Sequence, residues 1–194
     1  MRKIIALAVL AGFLFAGPAQ AQDKEKKEKV KPYRFTAFAI NMNSGPKAGM
    51  VDITIERLTR PEERDALIAA FVEGGQDALL KALQKVKPRI GYIRTPNSLG
   101  YDLQYAWRIV NSDGTSRVII GTDRPINFWE ASRQPRTIDY PFTIIEMRLD
   151  AKGQGEGRMA AGTKISRSKD GKTIELENYG ISPVALNEIK LQKR

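Results

Sequence analysis

The chain has no histidine and no cysteine in its 194 residues. The first absence removes the usual general base, the commonest metal ligand and any Ser-His-Asp arrangement. The second removes a thiol nucleophile, a zinc–thiolate site and every disulfide, so packing alone must hold the fold. Only oxygen ligands remain for a metal, which would suit calcium. The acid-and-glycine loop Asp150-Ala151-Lys152-Gly153-Gln154-Gly155-Glu156 lacks the further carboxylates of an EF-hand and carries Lys152 in its middle. It reads as a β-turn, and no cofactor or metal is expected. Long apolar runs are also missing: nothing after residue 16 approaches transmembrane length.

The one apolar run lies at the start. Arg2 and Lys3 precede Ile4–Ala16, Gly17 and Pro18 break the run, and Ala19-Gln20-Ala21 has the small-x-small pattern of a cleavage site. Residues 1–21 read as a secretory signal cut near Ala21; an uncleaved anchor is the alternative, against which the short run and the well-formed site both speak. The expected product is exported, periplasmic or extracellular, and soluble. The formal charge of +10 falls to +8 when Arg2 and Lys3 leave. Outside the cytoplasm such an excess suits anionic envelope polymers, lipid head groups or acidic partners. No nucleic-acid module is present, and the charges are dispersed, as on a generally basic, solvated surface.

Residues 22–31, QDKEKKEKVK, form a charged tether too poor in apolar side chains to offset its ordering entropy. A single α+β domain is expected over residues 32–194. Tyr33–Asn41 and Gly49–Leu58 alternate as strands about the turn residues Asn43-Ser44-Gly45-Pro46. The period then changes to 3.6. Thr59-Arg60-Pro61-Glu62 is a capping-box candidate, and the stripe of Leu67, Ile68, Phe71 and Val72 is interrupted by Gly74-Gly75 before Leu79, Leu80, Leu83 and Val86. This predicts a helix–Gly-Gly–helix pair, either a hinged lid or, more simply, a layer covering a sheet. Short strands follow: Arg89–Thr95, Tyr101–Val110, Ser116–Thr122, Phe142–Asp150, Gly157–Ile165, Thr173–Tyr179 and Val184–Leu191. Tyr101, Leu103, Tyr105, Trp107 and Ile109 alternate onto one face, either core or cavity lining. The expected fold is a largely antiparallel sheet, sandwich or open barrel-like, covered by the helical pair.

One stretch, residues 121–142, has neither period. It carries Pro125, Pro135 and Pro141 with aromatics and charges of both signs, and long ordered loops are where sites tend to sit. Asp123, Arg124, Phe128, Trp129, Glu130, Arg133, Arg136, Asp139 and Tyr140 are therefore the candidate binding residues. Asp102, Asp123, Glu130, Asp139 and Glu146 leave a glycosidase-like carboxylate pair formally open, although the local arginines make salt bridges the simpler account. The two Ser-x-x-Lys matches, Ser44–Lys47 and Ser166–Lys169, fall in turn-like sequence rather than at a helix start, which is where acyl transfer requires them.

Asp123–Glu130 (DRPINFWE), Ile138–Thr143 (IDYPFT), Gly155–Arg158 (GEGR), Gly74–Leu79 (GGQDAL) and Leu176–Tyr179 (LENY) resemble a group of small secreted bacterial proteins. The resemblance implies export and a shared fold but no catalytic residues. The leading expectation is a non-enzymatic exported domain that binds a small apolar or sugar ligand, or an envelope protein, through residues 121–142 and the neighbouring strand ends. A carboxylate-dependent glycan hydrolase and a structural envelope protein binding anionic polymer are the alternatives.

Overall fold

The computed structural model describes residues 31–43, 47–126, 139–168, 174–178 and 182–192; the expected signal and nearly all of the expected tether lie outside them. The strands are β1 (Tyr33–Asn41), β2 (Lys47–Ile55), β3 (Gly91–Arg94), β4 (Tyr101–Leu103), β5 (Tyr105–Val110), β6 (Ser116–Gly121), β7 (Phe142–Leu149), β8 (Gln154–Arg167), β9 (Ile174–Asn178) and β10 (Val184–Leu191). They form one antiparallel sheet in the order β4-β3-β2-β1-β10-β8-β7-β6-β5, with β9 added on β8.

The two ends of that order are consecutive in the chain, separated by Gln104 alone. Leu103 still faces the core, and so does Ala106, three positions on, so the alternation slips by one residue at Gln104. The Leu103 carbonyl accepts from the Ile90 N–H at 2.9 Å on one side, and the Gln104 N–H reaches the Gly121 carbonyl at 3.1 Å on the other. One bent strand thus bridges both edges of the sheet and makes a nearly closed barrel. Counting β4 and β5 as one, eight strands run round it.

Barrels of this size are just wide enough for side chains to fill. Every strand of the ring sends residues into one buried cluster, among them Ala37, Val51, Ile53, Ile93, Leu103, Ala106, Ile120, Ile145, Met147, Met159 and Leu186. The alternation that predicted strands here also predicted this face. β8 lies close against β7: a Cβ on Gly155 would lie 1.9 Å from the Arg148 carbonyl, so only glycine lets the two strands approach.

The connection from β2 to β3 is helical. A single helix, α1 (Pro61–Gln84), replaces the expected pair, with its backbone leaving helical geometry at Gly75 (φ 65°). Its start is also one residue later than the expected box. Arg60 is the N-cap, and its N–H donates to the Glu63 carboxylate at 2.9 Å. Thr59 is instead a docking residue: its Oγ1 accepts from the Ala106 N–H at 2.9 Å, fixing the helix entry to β5. Leu67 and Leu83 of α1 pack with Phe142 on the outside of the sheet, beside Leu79, Tyr105, Ile144 and Ile165. No helix among the described residues is long and apolar enough to cross a membrane.

Candidate functional site

The aromatic face expected along Tyr101–Ile109 is divided by the slip at Gln104. Tyr101 packs against the barrel core, whereas Tyr105 joins the cluster under α1. Trp107 lies beneath the Arg64 guanidinium, 5.1 Å from its ring centre. The one-face reading fails because a one-residue slip sends every later side chain to the opposite face.

Of the nine candidate residues, four are described. Asp123 and Arg124 pair with each other at 3.0 Å. The Tyr140 hydroxyl donates to Glu177 at 2.8 Å, and the Asp139 carbonyl accepts from the Gln76 side chain at 3.1 Å. Phe128, Trp129, Glu130, Arg133 and Arg136 lie outside the described residues. The start of this stretch is pinned: the Thr122 N–H donates to the Thr143 carbonyl at 3.1 Å, and the Ile126 N–H donates to Thr143 Oγ1 at 2.9 Å.

Of the acids considered for hydrolysis, Glu130 lies outside the described residues, and Asp102, Asp123 and Glu146 each pair with arginine. Asp102 is held by Arg89 at 2.9 Å, Asp123 by Arg124, and Glu146 by Arg117 at 2.8 Å and Arg148 at 3.1 Å. Burial raises the Glu146 carboxyl, but its bond from Arg148 and the charges of Arg117, Arg148 and Arg158 hold it below the ordinary value. Such a group is a poor proton donor at neutral pH. The Asp150 carboxylate is spent on its own turn, accepting from the N–H groups of Lys152 and Gln154 at 2.8 Å each. No group of three or more acids able to hold a metal occurs among the described residues.

What the fold does assemble is a cleft of about 430 Å³ between α1 and the outer face of the sheet, next to the two ends of residues 121–142. Leu67, Ile68, Phe71, Val72, Leu79 and Leu83 form its helical wall. Tyr105, Ile119, Gly121, Thr122, Phe142, Ile144, Ile165 and Leu176 form its floor. The charged residues in its lining are Arg64 and Arg167, and among the described residues no acid lines it. Ile68, Val72 and Leu176 are 43, 49 and 55 % exposed, which leaves hydrocarbon open to water at the cleft. Burial pushes the Tyr105 hydroxyl above its ordinary value against the opposing pull of Arg64, so it stays a neutral donor.

Besides the packing of Leu67 and Leu83 on Phe142, three polar contacts among the described residues hold α1 over this space. Thr59 anchors its entry, as described above. Glu63 binds Arg57 at 2.7 Å, and Arg57 also reaches the Pro88 carbonyl at 2.9 Å. Past the break at Gly75, Gln76 bridges two segments, accepting from the Ile165 N–H at 3.1 Å and donating to Asp139. Two features of the sequence mark this site. Ile119-Ile120 and Ile144-Ile145 put apolar side chains on both faces of their strands, which marks strands covered on both sides. On either side of the break at Gly75, the i+4 pairs Leu67–Phe71 and Leu79–Leu83 put apolar side chains from both parts of α1 along the cleft.

No family model, curated protein or solved structure matches the chain.

Proposed function

We propose that this protein is an exported binding domain that holds the aliphatic part of a small ligand between α1 and the outer face of β5 to β9. The observation that carries the reading is the lining of the cleft. Its volume is within the ordinary range of ligand sites, and nearly all of its surface is hydrocarbon, with a few polar groups at Tyr105, Thr122 and the two arginines. The expectation of a small apolar ligand is kept, and its place shifts from the charged and aromatic side chains of residues 121–142 to the helix–sheet cleft beside them. Export rests on the signal-like residues 1–21.

Titration with N-phenyl-1-naphthylamine, a neutral probe that fluoresces in apolar surroundings, tests this directly. Saturable one-to-one binding is expected, together with its loss in Ile144→Trp, which fills the floor of the cleft, at an unchanged thermal midpoint. Absence of saturable binding to the wild type, or intact binding in both Ile144→Trp and Ile119→Trp, would overturn the assignment.

A further inference from the structure

The cleft is apolar, and the charged side chains of its described lining are both arginines. Arg64 sits one turn into α1, where its guanidinium is held over the Trp107 ring and beside the Tyr105 hydroxyl. Its ion pair is with its sequence neighbour Asp65 at 3.5 Å, and that carboxylate is 73 % exposed. Pairs of this kind in water contribute little, so Arg64 keeps most of its capacity to bind an anion. A guanidinium stacked on an indole is already oriented and loses less freedom on binding than a free one. Arg167 adds a second positive charge to the lining, and among the described residues no carboxylate forms an ion pair with it. A neutral or cationic ligand would gain nothing from this arrangement, whereas an anion would be attracted by both arginines.

We infer that the ligand is a single-chain amphiphile with an anionic head, its chain lying in the cleft and its carboxylate or phosphate bound by Arg64 and the Tyr105 hydroxyl. This rests on the cleft being a ligand site, and it assigns the two ends of the ligand. The charge-assisted bonds are made at a site half shielded from water, where they are stronger than at an open surface. The head stays at the mouth, where its remaining oxygens can be hydrated, so no charge is buried unpaired.

Competition against the neutral probe separates the two levels of the argument. Dodecanoate and dodecyl phosphate are each compared with 1-dodecanol, which has the same chain and no charge. At least one of the two anions should displace the probe about tenfold or more better than the alcohol, and whichever binds tighter identifies the head. Arg64→Leu should erase that preference and leave dodecanol unchanged, Arg64→Lys should keep part of it, and Arg167→Leu should reduce it only slightly. Equal binding of all three compounds, or a preference that survives Arg64→Leu, would overturn the anionic assignment while the cleft remains a binding site. Failure of every compound and of the probe itself would sink the cleft reading as well. Thermal unfolding of each variant identifies any that lose binding by unfolding.

Discussion

The molecule has two apolar regions, one on each face of the same strands, and they are built to different standards. Inside the barrel, Ile53, Ile120, Ile145 and Met147 are fully buried. Outside it, their immediate neighbours Ile119 and Ile144 face a cleft of about 430 Å³, across which the helix shows half-exposed Ile68 and Val72. A nearly closed ring of eight strands has its width set by the strand count, and side chains fill it. A helix laid on a sheet can stand off by any amount that its end contacts permit. Here polar contacts at Thr59, Glu63 and Gln76 add to the packing of Leu67 and Leu83 on Phe142. Filled space serves stability, and the unfilled space has to be explained by something else.

The comparison is broken most directly by equal cuts on the two faces. Ile145→Ala leaves a hole inside the barrel and should cost about 2–5 kcal/mol, while Leu79→Ala at the cleft should cost about 1 kcal/mol, because its site is already loose. Urea denaturation measures both. Equal losses would mean that the cleft is as tightly packed as the barrel, against the geometry described. Gly155→Ala comes next. Its Cβ has nowhere to go beside the Arg148 carbonyl, and the separation forced on β7 and β8 should cost about 1–3 kcal/mol without changing probe affinity per folded molecule.

Glu63 tests the claim that end contacts hold the helix. Burial raises its carboxyl, but bonds from Arg57, the Arg60 N–H and the Arg60 side chain outweigh this and bring it down to about 2. A carboxyl whose folded value lies below its unfolded one stabilises the fold above the unfolded value of about 4.5, and that contribution is lost as pH falls toward 2. Glu63→Gln should therefore cost about 1 kcal/mol at pH 7 and progressively less below pH 4.5, the two proteins converging near pH 2. Unfolding midpoints across that range check it; a constant difference would place the effect in packing rather than in the charge.

The antiparallel sheet was legible because alternation reports burial on one face, and β6 and β10 fell where the pattern put them. Its closure was not, since the slip at Gln104 leaves no mark on the polar–apolar pattern: Leu103 and Ala106 are both apolar, and so are Tyr105 and Trp107. The helix cap moved by one residue because Thr59, an ideal cap by composition, is drawn into the contact with Ala106. The site was sought among charges and aromatics of residues 121–142, whose described members satisfy one another or bond to nearby groups. What lines the cleft is hydrocarbon: Leu67, Phe71, Leu79 and Leu83 on the two sides of the break at Gly75, with Ile119 and Ile144 from the doubled isoleucines on the strands. Periodicity shows which residues face inward but not how far apart two faces will stand.

The smallest effect on stability is expected where exposed hydrocarbon has no packing role. Ile68 and Val72 occupy successive turns of α1 at the cleft, and each leaves nearly half its surface in water. Removing them gives up little buried area, so Ile68→Ser and Val72→Ser should each change stability by no more than about 0.5 kcal/mol. If the cleft holds an aliphatic chain, that same area becomes buried when the ligand arrives. The two substitutions should then each weaken probe binding by about threefold to tenfold, and the double variant by roughly the product. Chemical denaturation and probe titration on the same samples read the two quantities side by side. A stability loss above about 1 kcal/mol would return these residues to the packed fold; unchanged affinity would mean that they do not border the bound chain.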